Sequence, residues 1–463
     1  MLPCALILAV LIGALVGCSG GSQAPIADPA PPPAPPVPPS PVMRGRIYVS
    51  VLDGDRNTPI PGAVVRLGHR QDEVSRRGIA HFSARRSAFS VTASAPGYNT
   101  RTLPVSFKRR RWRKVFIYRR DLQWPMYGVT PNRTQAQASI RLRPPFRRVW
   151  SRGIGSLIEF PAVVSDGLAY VTNFRGTVRA LSMRDGTVAW RRDTWDKMAA
   201  SPAVVGNQLV VHSMDGNVWL LDRWNGRVLW RYRIGSAIES SPVVRHGIDY
   251  FGAWNGVVYA LDLRRRSLAW TRTAGAKITS SAAIAGGTLF IGDYGGRLWA
   301  LAAATGRPRW IGGVNGRIYG TPAVADGRVF VPSSTGDSLT AFSRTGARLW
   351  RIGTGGYVYS SPAVWAGRVF FGSYDGSLYA ASARSGSVLW RAAAGGAISG
   401  AAVVVGGIVY AGSTANRIIG VDARSGRTVF RFPHGEYVPV SGNGRRLLLH
   451  GYSRLYAVQP KRR

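Results

Sequence analysis

Tryptophan recurs at positions 150, 190, 230, 270, 310, 350 and 390, and Phe430 continues the series. The chain holds 15 tryptophans, so nearly half of them fall on one 40-residue grid. A fixed period of this length marks a solenoid or a propeller. The rest of the unit separates the two. In residues 357–390, Ser-Pro-Ala-Val opens a first strand and Gly367 turns into Arg-Val-Phe-Phe-Gly. Asp375-Gly376 is a type I′ hairpin signal leading into Ser-Leu-Tyr-Ala-Ala, and Ser385-Gly386 turns into Ser-Val-Leu-Trp390. Four short antiparallel strands without a helix make one propeller blade. The third-strand motif recurs as GTVRAL from Gly176, GNVWLL from Gly216, GVVYAL from Gly256, GRLWAL from Gly296, DSLTAF from Asp337, GSLYAA from Gly376, NRIIGV from Asn416 and SRLYAV from Ser453. A glycine four positions before the grid residue stands at 186, 226, 306, 346, 386 and 426, with Arg266 in its place in one repeat.

The last repeat ends near Val458 without a fourth strand, and Phe146–Trp150 is a fourth strand without the first three. Ring closure solves both problems, because residues 146–150 complete the blade begun near 437 and no sheet edge is left open. The expected fold is therefore all-β, an eight-bladed β-propeller over 146–460. With Trp124-Pro-Met-Tyr-Gly and Asn132-Arg-Thr134 ahead of it, the chain from about 124 to 460 resembles the pyrroloquinoline-quinone-like (PQQ-like) repeat family. The resemblance implies that Trp150, Trp190, Trp230, Trp270, Trp310, Trp350, Trp390 and Phe430 dock between neighbouring blades as structural residues.

Ahead of the repeats, residues 2–17 are apolar throughout and end in Leu15-Val16-Gly17-Cys18. The run is short for a spanning helix and sits where a secretory signal does. The string resembles the bacterial lipobox. On that reading 1–17 is a signal peptide and Cys18 the lipid-bearing first residue of the mature chain, extracytoplasmic and anchored to a bacterial membrane; a plain signal peptide or an uncleaved anchor is the alternative. Residues 18–43 are small residues and proline, a polyproline-type spacer that cannot form a core. In 44–119, the order of an opening strand (45–52), PIPGAVVRL, GIAHF and SVTASAPGY resembles the carboxypeptidase regulatory-like domain. That resemblance implies a small seven-stranded, transthyretin-like/Ig-like β-sandwich with an accessory role. Residues 120–145 connect it to the repeats.

Charge is the compositional anomaly: 61 Lys+Arg face 22 Asp+Glu, for a net +39. Such a surface attracts polyanions. Outside the cytoplasm these are anionic lipid headgroups or cell-wall polymers; nucleic acid is not an expected partner, since no nucleic-acid-binding motif is present. A generally basic proteome is the alternative explanation. The densest run, Lys108, Arg109, Arg110, Arg111, Trp112, Arg113 and Lys114, is a candidate polyanion contact or a solvated strand end.

Chemistry is sparse. Both cysteines, Cys4 and Cys18, precede every folding segment, so no disulfide or thiolate metal site is available there. The six histidines show no metal-ligand spacing, and no nucleophile elbow or phosphate loop appears. No catalytic residue, metal or cofactor is expected. A quinoprotein dehydrogenase is the runner-up, and it would need a calcium site and a carboxylate base. Glu159 and Glu239 occupy corresponding inter-blade loops and are the pocket candidates. The chain otherwise resembles, in architecture and anchoring (lipobox plus propeller), the propeller lipoprotein of outer-membrane assembly. The sequence therefore points to a non-catalytic, membrane-anchored scaffold that binds protein or anionic envelope partners through a basic propeller surface.

Overall fold

The computed structural model describes residues 45–84, 88–106 and 112–461. Cys18, the proline-rich spacer and Lys108–Arg111 lie outside them.

Seven strands form two small sheets ahead of the repeats. Gly45–Asp53 pairs antiparallel with Ile79–Ala84 and parallel with Trp112–Ile117. The second sheet runs Arg70–Glu73, Val64–Leu67, Ala88–Ser94, Arg101–Ser106. Alternation along the first strand buries Ile47, Val49 and Val51, which share one core with Val65, Leu67, Val91, Val115 and Ile117 from both sheets. Two of these strands escape a reading based on apolar alternation: Arg70–Glu73 is polar throughout, and in Arg101–Ser106 only Leu103 and Val105 turn to the core, on either side of Pro104. PIPGAVVRL enters its strand only at Val64, because Pro59 offers no amide to a ladder and makes a lone bridge to Leu52.

From residue 146 onward the chain builds successive four-stranded antiparallel sheets of one plan, the one at 403–432 taking Ala136–Gln137 as a fifth, parallel strand at its inner edge. They occupy 163–193, 203–233, 243–273, 283–313, 323–353, 363–393, 403–432 and, with 146–153, 440–460. First strands of neighbouring sheets approach one another, including Val163–Ser165 with Val440–Gly442, so the sheets stand around a common axis. These inner strands are three residues each, mostly Ala and Val, as the taper toward an axis requires. Phe146–Gly153 pairs with Arg454–Pro460, placing Trp150 opposite Ala457. The same third-to-fourth-strand register, with the same bulge, puts Ala300 opposite Trp310 and Ala380 opposite Trp390.

Each bulge aims the indole at the next sheet. Trp190 Nε1 donates to Arg223 O at 2.8 Å, Trp270 to Ala303 O at 2.9 Å and Trp310 to Arg344 O at 2.8 Å. The ring faces lie on the turn glycines: a Cβ at Gly306 would sit 2.5 Å from Trp270 Cε3. Gly306 therefore answers two demands, a φ of +69° and room for an indole. Where Arg266 replaces the glycine, it adopts φ +58°, and Trp230 lacks the indole bond among the described residues.

The turn at Asp375-Gly376 is not type I′. Gly376 alone is left-handed, at φ +82°. Gly376 N bonds Ser373 O at 3.2 Å, a type I turn closed by a left-handed glycine. Asp375 stays right-handed because its carboxylate is engaged, accepting from Ser377 N at 2.8 Å and Gly355 N at 3.0 Å.

The small sheets dock on the repeats through buried polar contacts. Asn99 Nδ2 donates to Asp166 Oδ1 at 2.9 Å, Arg223 pairs with the same carboxylate, and the Arg101 guanidinium stands 5.0 Å from the Trp224 ring. Asp55 is buried beside Gly444, with neither carboxyl oxygen hydrogen-bonded in normal geometry among the described residues. Burial, then the Asp53 charge, raises its pKa to about 7, against an opposing pull from Arg445.

Two outcomes follow. Gly306→Ala should lower stability by about 2–3 kcal/mol, from backbone strain plus the indole clash, in denaturant unfolding. Gly327→Ala, with φ +73° but nothing within 4 Å of the new methyl, should lower it by only about 1 kcal/mol; equal losses would remove the indole contact as the cause. For Asp55 the folded state holds its proton more tightly than the unfolded chain. The stability this contributes is present below about pH 4 and lost as pH rises to about 7. Asp55→Asn should therefore melt above the parent at pH 8, by an amount on the order of 2–4 kcal/mol, and the gap should close near pH 4.5.

Candidate functional site

The innermost strands leave backbone donors facing the axis, and one segment receives them. Val204 N bonds Pro125 O, Ile284 N bonds Pro131 O, Val324 N bonds Asn132 O, Val364 N bonds Thr134 O and Val404 N bonds Gln135 O, at 2.7–2.9 Å. The donors lie on the 40-residue grid, so residues 124–135 thread the centre of the sheets. Arg133 is buried there and donates to the carbonyls of Ala282, Ser241, Pro242 and Tyr127. Four carbonyl partners take the place of a carboxylate, and burial lowers its pKa to about 10. Above this plug runs a belt of hydroxyls: Ser201 N donates to Ser241 Oγ, Ser241 N to Ser281 Oγ, Ser281 N to Thr321 Oγ1 and Thr321 N to Ser361 Oγ.

A cavity of about 330 Å³ opens on this floor. Tyr127 and the belt residues Ser281, Thr321 and Ser361 lie at its base, and Tyr127 Oη donates to Ser361 Oγ at 3.0 Å. Its walls are the inter-sheet loops that carry grid positions 159, 279, 319, 359 and 399, and Tyr374, Glu436 and Tyr437 complete it. Glu159 lines the cavity, and Glu239 adjoins it. The Glu239 carboxylate accepts Tyr319 Oη at 2.6 Å and Trp254 Nε1 at 3.0 Å. Burial, then the charge of Glu239, pushes Glu159 up to about 7, with the Tyr319 hydroxyl opposing. Tyr437 is pushed up to about 12 by burial and by Glu436 and Glu159. Tyr319, Tyr359 and Tyr374 form an aromatic chain with centroid spacings of 5.2 and 5.0 Å.

The grid that singled out Glu159 and Glu239 also holds Thr279, Tyr319 and Tyr359. That shared position is the signal by which they are found. Glu436 and Tyr374 lie off the grid and emerge only from the packing. The other candidates lie elsewhere. Trp112 is 53% exposed and stacks on Tyr48 at 4.6 Å, beside the exposed Arg113 and Lys114.

The model of a family described as outer membrane protein assembly factor BamB matches residues 141–251, 254–357 and 335–461. The chain belongs to that PQQ-like repeat family. No curated protein sequence matches it significantly. Among solved structures, BamB from Moraxella catarrhalis is similar with 19% identity and a TM-score of 0.59, covering 68% of this chain and 99% of that one. A computationally designed protein, Ika8, gives 17% identity, the same TM-score of 0.59 and the same 68% and 99% coverage. Quinohemoprotein alcohol dehydrogenase from Comamonas testosteroni gives 14% identity and a TM-score of 0.64, covering 74% and 82%. These likenesses establish the β-propeller fold shared by the family.

The dehydrogenases raise the question of a quinone in this cavity. The residues present do not fit one. Pyrroloquinoline quinone carries carboxylates, and the cavity offers it Glu159 and Glu436 but no lysine or arginine among its lining residues. Among the described residues no three His, Cys, Asp or Glu converge as ligands for a calcium ion. Incubation with the quinone and Ca²⁺, followed by gel filtration, should leave no quinone absorbance with the protein; stoichiometric retention would overturn this disagreement.

Proposed function

We propose that the chain is a non-catalytic scaffold of the bacterial envelope, an eight-bladed β-propeller held to a membrane through a lipid on Cys18. The observation that carries this reading is the match of the outer-membrane assembly family across 141–461. The sequence adds the apolar leader ending in Leu15-Val16-Gly17-Cys18 and the proline-rich spacer, which together suit a domain held away from a membrane. The amino-terminal sheets act as a carboxypeptidase regulatory-like sandwich, an accessory module with its own seven strands and core. Partners are proteins, with anionic lipid or cell-wall polymer as further ligands of the cationic surface. Arg184 and Arg265 project from outer turns with side chains more than four-fifths exposed. The second reading, a quinoprotein dehydrogenase, rests on the shared fold and is opposed by the carboxylates at the axis.

Cys18→Ser should move the protein from the membrane to the soluble fraction and abolish labelling by a fatty-acid probe. The released propeller should bind isolated envelopes at low salt and lose at least tenfold in affinity by 0.5 M NaCl. Unchanged fractionation would remove the anchor, and salt-insensitive binding would remove the cationic surface.

A further inference from the structure

We propose that the axial cavity is a binding site for an organic ammonium ion, gripped by Glu159 and Glu436 and faced by tyrosine rings. This goes beyond the scaffold reading, which concerns the outer surface. The chain is strongly cationic, yet all three glutamates of residues 120–463 gather at this one place. Aspartates of the repeats serve the turns instead, as at Asp222, Asp262 and Asp422. No lysine or arginine lines the cavity, and among the described residues none of the three glutamates has an ion-pair partner. Negative charge has therefore been concentrated without an internal cation to neutralise it. The Thr279 hydroxyl gives a second, independent sign. It lines the cavity, is 4% exposed and makes no hydrogen bond of normal geometry among the described residues, with the Tyr294 hydroxyl as its nearest polar neighbour.

The wall chemistry selects the kind of cation. A hard metal ion needs several oxygens converging on a point, and no such cluster exists among the described residues. Aromatic faces beside carboxylates favour a softer organic cation through the ring quadrupole. Tyr319, Tyr359 and Tyr374 supply those rings. A neighbouring loop already shows the same chemistry, with Lys277 Nζ 3.3 Å from the centroid of Trp254, the indole that hydrogen-bonds Glu239. A volume of about 330 Å³ suits a diamine or one lysine side chain. The groups bearing on Glu159 are Glu239 and Tyr319, and Tyr437 feels its charge in turn. With its pKa raised to about 7, Glu159 holds a proton near neutrality that an arriving cation displaces.

The test is calorimetry on the full chain in detergent, with cadaverine, N-acetyl-lysine amide, 1,5-pentanediol and glutarate as probes, at pH 6–8 in two buffers of different ionisation heat. The ammonium probes should bind at least tenfold more tightly than the diol or glutarate and release protons. Tighter binding of the lysine amide assigns the ammonium to a partner's side chain, and tighter binding of cadaverine to a free amine; either supports the site. Glu159→Gln should weaken binding at least tenfold and end proton release while the melting temperature holds. Tyr374→Leu, at a half-exposed position, should weaken it about fivefold and guards against a misfolded first variant. Equal binding of the diol or glutarate, no ammonium binding at millimolar concentration, or unchanged affinity in both variants would overturn the proposal. Envelope association reads the scaffold separately.

Discussion

Every sheet in the repeats presents an inner edge strand whose outward backbone groups must find partners without water. For six of the sheets one segment supplies the partners. Residues 124–135 supply carbonyl oxygens in step with the 40-residue grid, and Arg133 covers the carbonyls that a backbone strand does not reach. The hydroxyl belt at 241, 281, 321 and 361 then links one repeat to the next. The short Ala- and Val-rich inner strands, the packing of the sheets about an axis and the floor of the cavity all depend on these donors being met.

The outer half of each sheet is held differently. A bulge turns the grid tryptophan toward the following sheet, where its Nε1 finds a turn carbonyl and its face finds a glycine. Apolar contact and one directional bond act together, so each sheet sets the angle of its neighbour. Phe430 has no donor and packs instead against Phe146, the start of the closing strand. At this grid position a ring contact thus stands where most of the others have an indole hydrogen bond, while the closing strand itself is held by its ladder to Arg454–Pro460.

Charge is partitioned rather than merely excessive. Arginine crowds the outer turns, aspartate organises the turns themselves, and glutamate is kept for the axis. A family whose fold also carries quinone enzymes here presents an acidic, tyrosine-lined cavity under a cationic exterior. The two surfaces suit ligands of opposite sign.

Much of the architecture was legible because it is periodic. A residue repeated every 40 positions reports its own spatial equivalence, so Trp150 and a truncated last repeat already implied that 146–150 completes the final sheet, and Phe146–Gly153 does pair with Arg454–Pro460. The grid also pointed to Glu159 and Glu239. What has no period was not legible: the strands Arg70–Glu73 and Arg101–Ser106, the turn type at Asp375, the buried carboxyl of Asp55, and Glu436 and Tyr374 at the cavity. These depend on which groups meet across sheets. The sequence by itself determined the repeat, the strand order and the sign of the surface, because local patterning and composition suffice for those. Only the tertiary structure decided that residues 124–135 fill the axis and that Glu159 and Glu436 share one cavity with Glu239 beside it, because both follow from closing the ring.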